Sequence, residues 1–278
     1  MSFEDKFLKA VDEINKNNYN YGNDVLYSAF NFDKDILPKP GGNNYQAKLS
    51  SAIWLIGKSY SADPTRSSVG FVKNNGIGSA FDTIADKMVK NEDYENFYKC
   101  IEGLKSKKFT FEDTDDNDQN ILKDCVRCVN LLNKMIKDAM GDDSKNVISF
   151  CSKFLHFISP NVFFIIDSFS LDGGIGLFSG RTNRTLNSKN GEYIDIDSKN
   201  REVFKDWIPS FEICNFDEYD DEIIIYAKHC IRAYALAKYL YKKLPVEEKY
   251  KNINFRYITR LVDSVLMRVT KIKESSDD

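Results

Sequence analysis

Hydrophobic and polar positions along the 278-residue chain alternate mostly with a helical period. Residues 2–16 place Phe3, Phe7, Leu8, Val11 and Ile14 on one face and predict a short amphipathic helix. A stretch rich in turn-forming residues follows to Asn44, with Pro38, Pro40, Gly41 and Gly42 near its end. From Tyr45 to Ala62 the helical pattern returns through Leu49, Ala52, Ile53, Ile56 and Tyr60, and Asp63-Pro64 stops it. Residues 79–104 predict two short helices, and residues 119–140 a longer one carrying Ile121, Leu122, Cys125, Cys128, Val129, Leu132, Met135 and Ile136.

The next helix, starting near Ser144, is apolar almost all round and ends at Pro160, which predicts central burial. The run Val162–Ile166 is the one short extended segment. From Leu171 to Arg201 the chain is rich in Gly, Ser, Asn and Asp, which predicts a flexible loop with a small hairpin near Asn190-Gly191. A long helix over 219–243 begins among acids (Asp217, Glu218, Asp220, Asp221, Glu222) and ends among lysines (Lys238, Lys242, Lys243), the order that a helix dipole favours. The last helix, 254–273, has its stripe at Phe255, Ile258, Val262, Val265, Val269 and Ile272. The pattern predicts one mainly α globular domain over 1–278, with 171–201 as a loop insertion.

Composition narrows the function classes. A net charge of −3 gives no global field toward nucleic acid, so a polyanion would need a local basic patch. The 20 Phe and 15 Tyr predict aromatic core and pocket walls. No run is apolar enough for a membrane span, and the first residues show no apolar signal region, so a cytoplasmic protein is expected. The six cysteines (100, 125, 128, 151, 214, 230) are expected to be reduced thiols, and the Cys125-x-x-Cys128 pair lacks the second pair a zinc site needs. "EDTDDNDQNILKD" (112–124) spaces Asp113, Asp115 and Asn117 like a calcium loop, but Asp118 stands where that turn needs glycine. It reads as a solvated loop and helix start. No cofactor or metal is called for.

Chemistry concentrates in "SFCSKFLHFISPNVFFIIDSFS" (149–170). Ser149, Lys153 and His156 stand at i, i+4 and i+7, a polar stripe on a greasy helix, and Asp167 ends the apolar run beyond Pro160. Such groups must face a cleft, a partner or water. Alternatively, Asp167 caps a short helix at Ser168–Leu171, Lys153 snorkels outward and His156 is a satisfied core histidine. Basic residues mark a candidate nucleic-acid surface: Lys58 and Arg66 near Trp54 and Tyr60, Arg181 and Arg184 in the glycine-rich "DGGIGLFSGRTNR", and Arg256, Arg260, Arg268 and Lys271 outside the stripe of the last helix. A solvated face is the alternative for the last helix.

The 151–170 portion resembles the segment of helix–hairpin–helix DNA glycosylases, 8-oxoguanine glycosylase branch, that runs from the hairpin's second helix to the catalytic aspartate. "AKLSSAIWLIGKSYSADPTRS" (47–67) is similar to a helix in bacterial proteins thought to share that fold. The resemblance implies a two-lobed helical fold, nucleic acid or nucleotide as partner, and Asp167 stabilising positive charge on the sugar as the base leaves. Ser149 takes the place of the lysine that attacks the sugar in bifunctional members, which implies hydrolysis without strand cleavage. Lys153 is the alternative nucleophile. The aligned hairpin turn, "KNVIS" (145–149), lacks the family's glycines. Two functions follow as expectations: an N-glycosidic-bond hydrolase, with anti-phage defence as a setting, or a non-catalytic nucleic-acid- or protein-binding module that keeps the fold.

Overall fold

The computed structural model describes residues 3–16, 21–32, 36–41, 46–60, 62–65, 71–72, 77–112, 116–141, 146–179, 218–244 and 257–269. Among these the protein is mainly α, with ten named helices and no strand: α1 (Phe3–Lys16), α2 (Tyr21–Phe32), α3 (Gln46–Ser59), α4 (Ile77–Lys90), α5 (Tyr94–Lys105), α6 (Asp116–Met140), α7 (Ile148–Ile158), α8 (Ser168–Ser179), α9 (Asp221–Lys243) and α10 (Ile258–Val269).

One helix lies where the sequence predicts turns, and another runs past the short Ser168–Leu171 helix of the plainer reading into the expected loop. α2 occupies the stretch expected to be turns. Its Leu26, Tyr27 and Phe30 are buried, and Tyr27 and Phe30 pack on Phe157 of α7 with ring centroids 4.9 and 5.7 Å apart. Aromatic burial overrides the weak helix propensity of the Asn, Gly and Asp in its first turn. α8 covers the first part of the expected 171–201 loop, so Leu171–Ser179 is helix. The remainder of that expectation, with the hairpin, lies outside the described residues.

Contacts run in a chain of packed pairs. α3 packs on α4, α4 on α5 and α6, and α5 on α6. On the other side α8, α9 and α10 pack on one another, and α1 covers α10. α7 sits between these groups, touching α2, α3, α6 and α9, and only Ser149 and Ile158 on it are not fully buried. This central position was predicted from its all-round apolar surface.

Val162–Ile166 is buried without a strand partner, so its backbone polar groups are satisfied by side chains. Four consecutive carbonyls accept from four residues on three helices: Val162 from the Cys125 thiol (3.5 Å), Phe163 from His156 Nδ1 (2.8 Å), Phe164 from the Tyr226 hydroxyl (3.2 Å) and Ile165 from His229 Nε2 (2.8 Å). The Ile166 N–H then donates to Ser152 Oγ (3.1 Å). Both histidines of the chain thus hold the segment that delivers Asp167.

Two smaller expectations change. Cys100 and Cys128 form a disulfide joining α5 to α6, with Cα atoms 6.4 Å apart, whereas Cys125, Cys151 and Cys230 are free and buried. Cys214 lies outside the described residues, as do Asp113 and Asp115. Asp118 is not a solvated loop residue. It is fully buried in the first turn of α6 and accepts hydrogen bonds from Thr110, Phe111, Asn117 and Tyr234.

Candidate functional site

Three helices bring four charged side chains together. α7 supplies Lys153, the start of α8 supplies Asp167, and α10 supplies Arg260 and Asp263. Lys153 Nζ lies 3.7 Å from Asp167 Oδ2 and donates to Ser149 Oγ at 3.2 Å. The i, i+4 stripe therefore does set Ser149 beside Lys153. Arg260 and Asp263 form an ion pair within α10 through Asp263 Oδ2. Tyr60, just past α3, offers its ring to both cations: Lys153 Nζ is 5.5 Å and the Arg260 guanidinium carbon 5.7 Å from the ring centre.

Asp167 has two jobs. Its Oδ1 accepts from the N–H groups of Phe169 (3.0 Å) and Ser170 (2.9 Å), capping α8 as the plainer sequence reading expected. That bonding fixes the carboxylate plane and turns Oδ2 toward Lys153. Side-chain exposure falls from Asp167 (18%) through Arg260 (13%) and Lys153 (5%) to Asp263 (1%), so an approaching molecule meets Asp167 first.

Burial shifts the proton affinities. It lowers the Lys153 pKa, with Asp167 opposing. It pushes Asp263 up to about 6, against Arg260 and with a contribution from Asp167. Burial opposes the charge on Arg260, but Asp263 and then Tyr60 outweigh it and the pKa rises. Burial takes the Tyr60 hydroxyl up to about 12, so that hydroxyl stays neutral.

His156 departs from the expected stripe. It is fully buried, its Nδ1 donates to Phe163 O, and its Nε2 accepts from the Tyr27 hydroxyl at 2.6 Å. A carbonyl can only accept, which fixes that tautomer. Burial lowers its pKa to about 3, so the ring is neutral. The Arg260 charge still reaches the ring, but both its nitrogens are taken, so His156 serves the backbone that leads to Asp167.

The basic positions divide. Arg260 is turned inward onto Tyr60 and Asp263 rather than lying on an outer face. Lys58 is exposed and pairs with Asp63 (2.6 Å), whose other oxygen holds the Thr65 N–H and hydroxyl. Trp54 beside it is half exposed. Arg66, Arg181, Arg184, Arg256 and Lys271 lie outside the described residues.

Sequence reasoning missed Asp263. Its signal was present: "LVDSVL" (261–266) sets an acid inside the apolar stripe, three residues after an arginine. The glycine-rich 172–176 stretch also gains a role. A Cβ on Gly173 would come within 2.1 Å of the Leu266 carbonyl oxygen, so this glycine lets α8 and α10 approach closely enough to unite Asp167 with Arg260 and Asp263. No group of three or more His, Cys, Asp or Glu side chains among the described residues is placed to hold a metal, and no helix of the described residues is long and apolar enough to cross a membrane. Neither a family model, a curated protein nor a solved structure matches the chain.

Proposed function

We propose that the protein is an N-glycosidic-bond hydrolase of the DNA-glycosylase kind, acting on a nucleic-acid base or nucleotide. The observation that carries this reading is Asp167: a carboxylate fixed at a helix N-terminus, with its second oxygen turned to a partly open, aromatic-walled charged cluster. A glycosidic bond breaks by releasing the base with the bonding electrons, leaving positive charge on the sugar. A rigid carboxylate stabilises that charge, and the desolvated surroundings strengthen the interaction. Ser149 and neutral Tyr60 offer hydroxyls for orienting a substrate or water. The consecutive helices α6 and α7 pack on each other, and Gly141 (φ +67°) follows the end of α6, which is compatible with the helix–hairpin–helix arrangement implied by the resemblance.

One observation favours the second reading, a binding module without chemistry. Lys153 faces the same Asp167 oxygen that would meet the sugar, and an ion pair there can be purely structural. Base release from damaged duplex, single-stranded DNA, RNA and free nucleotides separates the two. Asp167→Asn keeps the cap but removes the charge. We expect it to lower base release by ~10²–10³, the loss of roughly 3–4 kcal/mol of charge stabilisation. Wild-type protein that releases no base from any of these probes leaves the binding module standing.

A further inference from the structure

The cluster contains a carboxylate with no counterpart in the sequence reading. Asp263 is the deepest charged group, and only one of its oxygens is used. Oδ2 meets Arg260, while Oδ1 has no hydrogen-bond partner within 3.5 Å among the described residues although it is shielded from solvent. Ser170 stands near from α8: its hydroxyl accepts from the Asp167 N–H at 3.0 Å, lies 3.4 Å from the Asp167 carbonyl, and its proximity lowers the proton affinity of Asp263 without closing a hydrogen bond on Oδ1. A buried acceptor left unmatched is costly, and a bound water bearing two donors removes that cost.

We infer that Asp263 is the second catalytic carboxylate: its Oδ1 holds the attacking water on the buried side of Asp167 and takes a proton from it. This rests on the proposed hydrolase reading. The depth order gives the two carboxylates different work. Asp167, more open, meets the sugar. Asp263, behind it, holds water on the side away from solvent, so the base departs toward the open side. The C–N bond breaks with its electron pair going to the base, the water oxygen bonds to the sugar carbon, and the water's proton passes to Asp263. Asp263 then returns a proton, and the base gains one, so one water is consumed in total. Two carboxyl groups in unlike surroundings dividing such roles is a recurrent solution for glycosidic bonds.

The groups facing Asp263 suit a base that works near neutrality. Arg260 faces it from its own helix, Asp167 and Ser170 from α8, Lys153 from α7, Tyr60 from just past α3 and Tyr27 from α2. α9 turns His229 and Arg232 toward Gly174, farther along α8, and the buried face of α1 is Phe7, Ala10 and Val11. With burial raising its pKa to about 6, Asp263 is ionised at pH 7 and still basic enough to accept a proton.

The test is single-turnover base release from single-stranded oligonucleotide between pH 5 and 8. Wild-type rates should climb about tenfold per pH unit and level off above about pH 6. Asp263→Asn should be slower by about a hundredfold, with KM within twofold and the climb gone. A flat wild-type profile, or an Asp263→Asn profile like wild type, overturns the inference. If Asp263→Asn does not fold, the wild-type profile decides alone. Wild-type protein inactive at every pH overturns both this role and the hydrolase reading. Activity lost in Asp167→Asn but unchanged in Asp263→Asn overturns this role only.

Discussion

Asp118 and Asp263 are both buried aspartates on helices, and they are matched very differently. Asp118 Oδ1 accepts from the Thr110 N–H (3.0 Å) and hydroxyl (3.2 Å), while Oδ2 accepts from the Phe111 N–H (2.9 Å) and the Tyr234 hydroxyl (2.8 Å). Every one of those donors is neutral, and each belongs to a segment that must be tied to the start of α6. Asp263 has a cation on one oxygen, no hydrogen bond on the other, and a second carboxylate as neighbour. The first arrangement is complete and therefore needs nothing from outside. The second retains unsatisfied hydrogen-bonding capacity in the most enclosed part of the charged cluster. A complete network fastens a fold; an incomplete one beside a partly open group is where a ligand or a proton can be handled.

The same substitution should separate them most sharply. An asparagine at 118 must point its NH2 at two donors whichever way it is turned. We expect Asp118→Asn to cost about 3–5 kcal/mol in urea unfolding, because donors are left facing a donor in a dry interior. At 263 the amide can keep its oxygen on Arg260 and turn its NH2 to the side where the nearest group, the Ser170 hydroxyl, can accept as well as donate. We expect Asp263→Asn to cost no more than about 2 kcal/mol, the lost ion-pair attraction. Equal costs at both positions would erase the distinction between matched and unmatched carboxylates.

Acid should sharpen the contrast next. His156 and His229 are held neutral by burial, with pKa values near 3 and 4. Since the unfolded histidines bind protons from about pH 6.5 downward, the stability these rings contribute is complete above that pH and is lost as pH falls toward those values. Asp263 acts in the opposite sense. Its folded pKa is raised, so its contribution is complete below about pH 3.8 and is lost as pH rises through about 6. Two histidines outweigh one aspartate. The net expectation is a loss of about 2–3 kcal/mol between pH 7 and pH 5, read by chemical denaturation at each pH. A gain over that range would mean that Asp263, not the backbone rack behind Asp167, governs acid behaviour.

What could be read from sequence follows from how local each signal is. α6, α7 and α9 carry apolar stripes or all-round apolar surfaces, and their existence needs no partner to be known. Ser149, Lys153 and Asp167 were legible because helical spacing and the end of one apolar run place them. His156 shares the stripe on paper, yet an enclosed helix can spend a polar side chain on a neighbouring backbone, and spacing does not distinguish the two. Arg260 was legible as a basic residue outside the last stripe and Tyr60 as an aromatic near Lys58, while Asp263 passed unnoticed inside that stripe. That all three, carried by other elements, meet Lys153 and Asp167 is revealed only by packing. α2 and most of α8 were hidden for a related reason: their Asn and Gly residues lower intrinsic helix propensity, and the burial that repays it comes from α7, α9 and α10.

Gly173 makes that last point testable and carries the smallest of the expected effects. In an isolated helix, replacing glycine by alanine is favourable by about 1 kcal/mol, because alanine loses less backbone freedom. In this protein the new Cβ would sit 2.1 Å from the Leu266 carbonyl oxygen and 2.8 Å from its carbon. These are backbone atoms, so no side-chain rotation relieves the clash and α8 must move away from α10. Overpacking of this kind costs about 1–3 kcal/mol, larger than the helical gain. We therefore expect Gly173→Ala to destabilise by about 1–2 kcal/mol in urea unfolding, whereas alanine at Gly176, where nothing lies within 4 Å, should be neutral or stabilising. Because Gly173 holds α8 to α10, its alanine variant should also weaken any property that needs Asp167 and Asp263 together, while leaving the Asp118 network untouched. Two alanine variants of equal stability would mean that the glycines serve no close approach and that the cluster is assembled by something other than the crossing of these two helices.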